Sequence, residues 1–215
     1  MNIDFILCLD KTNRNPVIDD VLVPEIGSLR ARIVRYRGAL GKPTEVGRIR
    51  VRMLFFGDYA TDSEPMVQTP FLDLDADRDE IVSRLQSVRQ GGGGDMPEHS
   101  YEALTLGIRS IEPADRTVLL LLTDSTPHPL GSGVGTYSPA YPTDMPASID
   151  ELTAEWEGSY NSTRRLLLFA PAGNEWQRVR GWRGCIYHPV MPLGAYSDIL
   201  DPDTIPDLLA ASAVM

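Results

Sequence analysis

The sequence predicts an α/β fold, a mainly parallel central sheet with helices on both faces and one short antiparallel edge strand. Three observations predict it. Ile3 to Leu9 and Thr117 to Thr123 are almost wholly apolar runs of strand length, as expected of strands buried on both faces. Between and after them lie stretches with helical spacing, so strands and helices alternate. Both runs end in an acid, Asp10 and Asp124, at the edge where open α/β sheets bind ligands.

In chain order, Ile3–Leu9 is the first strand. Asn15-Pro16 suits a helix cap and first turn, and Val17, Ile18, Val21 and Leu22 carry the periodicity. Pro24 interrupts that helix, which resumes over Ile26, Leu29, Ile33 and Val34. Arg48 to Phe56 alternates into an apolar end and predicts a strand, with Arg48, Arg50 and Arg52 on a solvated face. Gly57 to Pro70 reads as a polar loop, and Phe71 to Leu74 as the short edge strand. Asp77 and Glu80 form a capping box for a helix carrying Ile81, Leu85 and Val88.

Gly91-Gly92-Gly93-Gly94-Asp95-Met96-Pro97-Glu98 then joins two helices. The glycines permit positive φ and close backbone approach. Asp95 is placed to cap the next helix, with Pro97 in its first turn and Glu98 three residues after the cap. That helix buries Tyr101, Leu104, Ile108 and Ile111 and ends before Pro113. Ser148 and Glu151 open a further helix, and Leu166 to Phe169 is another buried strand. A small helix around Trp176 and Val179, a strand at Cys185 to Tyr187, and a terminal helix with Ile205, Leu208 and Leu209 complete the chain. The whole reads as one Rossmann-like domain over residues 1–215.

Composition narrows the function classes. Thirty acidic against 20 basic residues give a formal charge of −10, which opposes binding to nucleic acid or an anionic membrane. No run approaches the roughly 20 apolar residues that span a bilayer. The first residues lead straight into an apolar strand without a basic segment, which predicts no signal peptide. Cys8 and Cys185 sit in apolar runs outside any C-x-x-C pair, and reduced thiols in a cytoplasmic protein are the expectation.

Asp10, Thr12, Glu98 or Asp95, and Asp124 are all oxygen donors, the chemistry of Mg²⁺ or Mn²⁺. Carboxylates so close repel one another unless a cation joins them. Asp10-Lys11-Thr12-Asn13-Arg14, Gly94-Asp95-Met96-Pro97-Glu98 and Leu122-Thr123-Asp124-Ser125 together resemble the von Willebrand factor A domain with its metal-ion-dependent adhesion site. That family's first motif is D-x-S/T-x-S, and the D-x-P-E step looks like the one in the A-like domains of integrin β-subunits.

The resemblance implies metal ligation by Asp10, Thr12, Asp95, Glu98 and Asp124, and a partner protein offering a carboxylate to the ion. It implies a non-enzymatic interaction module or adaptor. The second hydroxyl of the family motif falls at Arg14, whose guanidinium cannot ligate a metal. Either Arg14 points away and the ion keeps fewer protein ligands, or its charge replaces the ion and leaves a metal-free scaffold.

A Mg²⁺-dependent hydrolase or phosphotransferase using the same carboxylates is the alternative. It lacks the D-x-D-x-T spacing of aspartyl-phosphate chemistry and a P-loop lysine. His99 and His188 have no nucleophile partner in sequence. Ser125 to Ser148, rich in Pro and Gly, is long for a structureless loop, and its anchor at Asp124 predicts that it shapes or covers the partner surface. Arg14, Ser125, His128, Tyr137 and Tyr141 are the expected partner-binding residues, with His128 at the surface.

Overall fold

The computed structural model describes residues 1–12, 15–87, 97–190 and 201–215. Arg14, Asp95, the four glycines of the junction and Val88 lie outside the described residues.

The strands β1 (Ile3–Asp10), β2 (Ile49–Phe56), β3 (Met66–Gln68), β4 (Leu72–Asp73), β5 (Arg116–Leu122), β6 (Arg164–Pro171) and β7 (Cys185–Val190) form one sheet. Its order is β3-β2-β1-β5-β6-β7, with β4 also on β2. β1 pairs in parallel with β2 and β5, β5 with β6, and β6 with β7. The fold is therefore the expected Rossmann-like α/β sheet. The expected antiparallel edge is two short strands rather than one, because Met66–Gln68 returns along β2 from within the stretch read as a polar loop.

Side chains alternate across the central strands. Ile3, Phe5, Leu7 and Leu9 face one hydrophobic layer with α2 (Leu29–Ala39), α3 (Arg78–Ser87) and α7 (Thr204–Val214). Ile6 and Cys8 face the other with α4 (Ser100–Arg109), α5 (Ile149–Ser159) and α6 (Gln177–Arg180). The helical stretch before α2 is irregular, as Pro24 requires: a π-turn at Ile18–Leu22, α1 (Val23–Glu25) and a 3-10 turn at Ile26–Ser28. α5 has the expected cap, with Ser148 Oγ accepting from Glu151 N at 3.2 Å.

Arg50 does not lie on a solvated face. It donates to both carboxylate oxygens of buried Asp4, at 2.8 and 2.7 Å, and lies over the Phe71 ring. Arg32 ties α2 to α7 by binding Asp203 and Asp207 at 2.7 and 2.6 Å. Cys8 is buried and Cys185 half-buried, both free, and burial pushes the Cys185 thiol up to about 12.

β1 is the pivot of the topology. The chain leaves it toward β2 on one side and later returns to β5 on the other. That reversal opens a crevice beyond the carboxyl ends of β1 and β5, where Leu9 pairs with Leu122 and each strand runs out into its acid.

No helix among the described residues is long and apolar enough to cross a membrane.

Candidate metal and partner site

The carboxylates beyond the ends of β1 and β5 are almost fully buried. Asp10, Thr12, Glu98 and Asp124 are each exposed by 6% or less. Asp10 ends β1, and its Oδ1 accepts from Thr12 N at 2.9 Å and Thr12 Oγ1 at 2.5 Å. Its Oδ2 accepts from Thr123 Oγ1 at 2.6 Å. Thr123 also accepts from Ser125 N at 3.1 Å, so the turn after β5 is fixed around the same carboxylate.

Glu98 arrives differently from the sequence expectation. It is not in the first turn of α4, which starts at Ser100 with His99 as its cap. Glu98 instead makes a parallel bridge with Pro127: its N–H donates to Thr126 O at 2.9 Å, and its carbonyl accepts from His128 N at 2.8 Å. A local capping pattern has lost to a long-range backbone pairing, which aims Glu98 into the crevice.

Burial dominates the electrostatics. It pushes the Asp10 carboxyl up to about 7, against the hydrogen bonds from Thr12 and Thr123 and with a further push from Asp124. Glu98 is pushed up to about 9 by burial and then by the charges of Asp10, Asp58 and Asp62, while a hydrogen bond with Thr12 acts the other way. Thr12 thus serves two carboxylates with one hydroxyl proton, and Glu98 Oε2 has no hydrogen-bond partner among the described residues. These donors are all oxygens, the kind a hard divalent cation prefers, and such an ion would relieve the repulsion and take up the orphaned oxygen.

A second cluster adjoins the first. Among the described residues, the one group of three acidic or histidine ligand atoms within 4.8 Å of one another is Asp58, His99 and His128, not Asp10, Glu98 and Asp124. Asp58 follows β2, His99 directly follows Glu98, and His128 follows the Pro127 bridge. His99 Nδ1 lies 3.0 Å from Asp58 Oδ1, and His128 Nε2 lies 3.9 Å from it. His128 is not at the surface, being only 5% exposed. Burial lowers the pKa of His99 and so keeps its ring neutral.

The loop 125–148 packs over this second cluster. Val134 O lies 3.2 Å from His99 Nε2, Gly135 lies against Tyr59 and His99, and the Tyr141 hydroxyl donates to Glu102 at 2.9 Å. The Tyr137 hydroxyl reaches Ala60 O at 3.3 Å, although the residue is 75% exposed. Of the expected partner-binding residues, Tyr137 is therefore on the surface, Tyr141 is partly covered, and Ser125 and His128 are buried.

Sequence reasoning missed Asp58. Its signal was the same as for Asp10: an apolar strand end, Met53 to Phe56, running out through Gly57 into an acid.

No protein-family model and no curated protein matches the chain. Solved structures do. The fold is similar to proximal thread matrix protein 1 from the mussel byssus, with a TM-score of 0.50 and 9% identity over 100% of this chain and 47% of that one. It is similar to the pilus adhesin SpaC of Lactobacillus rhamnosus GG, with a TM-score of 0.57 and 10% identity over 99% of this chain and 30% of that one. For the open conformation of SpaC the TM-score is 0.52 and the identity 12%, over 93% and 29%. The chain thus spans less than half the length of these proteins, and at such identities the likeness is one of fold.

Proposed function

We propose that the chain is a cytoplasmic, non-enzymatic interaction module of von Willebrand factor A type, binding a partner protein through a divalent cation at the β1–β5 crevice. The observation that carries this reading is the pair of buried carboxylates, Asp10 and Glu98, sharing the Thr12 hydroxyl with one Glu98 oxygen unpaired among the described residues. Asp10, Thr12, Glu98 and Asp124 would hold Mg²⁺ or Mn²⁺, and Asp95 belongs to the same set by the family resemblance. Such an ion supplies a coordination position for a partner's carboxylate.

The protein's own groups do the rest. Thr123 holds Asp10 in place from the neighbouring strand. The Glu98–Pro127 bridge fixes Glu98 relative to the loop, so an event at the ion is felt at the loop's root. Because these side chains are buried, a partner's carboxylate reaches the ion only when neighbouring backbone moves, and partner binding is coupled to a local rearrangement. The exposed Tyr137 lies in the loop where a partner would arrive.

The test is thermal unfolding of chelator-treated protein with and without millimolar Mg²⁺, in the wild type and in Asp10→Ala. A ligand that binds only the folded state raises its midpoint. The reading expects a rise in the wild type that the substitution abolishes. An equal rise in both proteins, or none in the wild type, refutes it.

A further inference from the structure

We propose that Asp58, His99 and His128 form a second metal site, selective for Zn²⁺ or another first-row transition ion over Mg²⁺, that clasps the root of the 125–148 loop to the ends of β2 and α4. It does not depend on the carboxylate site being occupied. Two imidazoles and one carboxylate are the donor set that Zn²⁺ and its neighbours accept and that Mg²⁺ does not favour.

Three geometric facts support it. First, the ligand atoms are already gathered: His99 Nδ1 and His128 Nε2 lie 3.0 and 3.9 Å from Asp58 Oδ1. Ligands about 2.0–2.2 Å from a tetrahedral ion stand about 3.4 Å apart, between those two separations.

Second, the tautomer of His99 is set. The Val134 carbonyl 3.2 Å from Nε2 can only accept, so Nε2 carries the proton and Nδ1 the lone pair. A ring nitrogen donating to a backbone carbonyl is the usual support of a metal-bound histidine. The Nδ1 lone pair meets the Tyr59 N–H at 3.1 Å and also faces Asp58 Oδ1. At 3.0 Å the Nδ1 lone pair and the Asp58 oxygen need a positive centre between them, which a shared proton or a metal ion can supply.

Third, His128 Nε2 is buried with no hydrogen-bond partner among the described residues, although it points toward that carboxylate. An orphaned buried nitrogen costs free energy that a bound ion would recover.

Asp58 is the member already furnished with donors. Ala60 N reaches its Oδ1 at 2.7 Å and Thr61 Oγ1 its Oδ2 at 3.3 Å, which fixes the carboxylate's orientation. Ligation of His99 takes its lone pair from the Tyr59 amide, so Tyr59, whose ring packs 5.0 Å from those of His99 and Tyr141, would register the ion.

The test adds Co²⁺ alone to chelator-treated, full-length protein and follows visible absorption. The expected result is one Co²⁺ per chain with the intense bands of a four-coordinate site, displaced by Zn²⁺, unmoved by excess Mg²⁺, and lost in His128→Gln. Absence of the bands, their displacement by Mg²⁺, or their persistence in a folded His128→Gln protein overturns the proposal.

A measurement on the wild type alone guards against a variant that does not fold. The chain has three histidines, and His188 lies apart from the cluster on β7. With Zn²⁺, the ring signals of His99 and His128 shift in the NMR spectrum while that of His188 stays. Shifts of all three together, or of His188 alone, overturn it.

Discussion

Replacing Thr12 or Thr123 by the near-isosteric Val separates what holds Asp10 from what would hold an ion. Each substitution removes a short hydroxyl hydrogen bond, of 2.5 or 2.6 Å, to a fully buried carboxylate, and also the hydroxyl's second contact, with Glu98 for Thr12 and with Ser125 N for Thr123. A hydrogen bond to a charged group contributes about 1.5–3 kcal/mol, and a kcal/mol moves the midpoint of a domain this size by about 2–4 °C, so each variant should melt about 3–12 °C lower without metal. The two should then part. Thr123 supports Asp10 from behind, where such losses cost about 10–100-fold in metal affinity, whereas Thr12 is itself a proposed ligand and its loss should cost more. Differential scanning calorimetry of metal-free protein and Mn²⁺ titration by calorimetry with the histidine cluster saturated by Zn²⁺ read the two quantities independently. Equal affinity losses in the two variants, or an unchanged midpoint for Thr12→Val, would refute the reasoning.

Three further outcomes follow from the geometry. Gly135 has φ +71°, and a Cβ there would stand 2.7 Å from Tyr59 Cβ and 2.9 Å from His99 Nε2; Gly135→Ala should cost roughly 1–3 kcal/mol in urea denaturation, and a neutral result contradicts the packing of the loop on His99. Burial pushes Glu102 up to about 7, from an ordinary 4.5, against the Tyr141 hydrogen bond. The folded state therefore holds that proton more tightly, and the stabilisation is full below pH 4.5 and lost as pH rises through 7. Glu102→Gln should remove a pH dependence of at most about 3 kcal/mol between about pH 4.5 and 8, measured as the difference from wild type, and identical slopes would refute it. Asp4→Asn breaks a pair with Arg50 at the opposite end of β1, about 20 Å from the crevice. It should cost about 3 kcal/mol of stability and leave Mn²⁺ affinity unchanged, and a matching loss of affinity would show that the effect is global.

The parts of this structure that are legible in the sequence are those whose signal is local. Apolar runs ending in Asp10 and Asp124 mark buried strands and an acidic carboxyl edge, and the alternation with helices marks a parallel sheet. The adjacency of β1 and β5 then brings the two acids to one crevice. Glu98 is legible too, but for the wrong local reason: the sequence shows a capping pattern, whereas pairing with Pro127 decides its place. The Asp58, His99 and His128 cluster is out of reach because its members come from three segments that only tertiary packing joins. His99 has no chemical partner near it in sequence, and His128 sits in a stretch that reads as surface. β3 is hidden for a related reason, since an edge strand of three residues, two of them exposed, has little apolar pattern to show.

The loop 125–148 illustrates the same limit from the other side. Its Pro and Gly content correctly marks the absence of regular structure. What fixes it, however, is a handful of long-range partners: His99 for Val134, Glu102 for Tyr141 and Ala60 for Tyr137. None of these has a sequence signature.

The central claim is that Asp10, Thr12, Glu98 and Asp124 hold a divalent cation. Titrating chelator-treated protein with Mn²⁺ and following the free ion by electron paramagnetic resonance, with Zn²⁺ already saturating the histidine cluster, tests it most directly. The account predicts one Mn²⁺ bound per chain in the wild type and none in Asp10→Asn. Free Mn²⁺ rising from the first addition in the wild type, or equal binding by the two proteins, would contradict it.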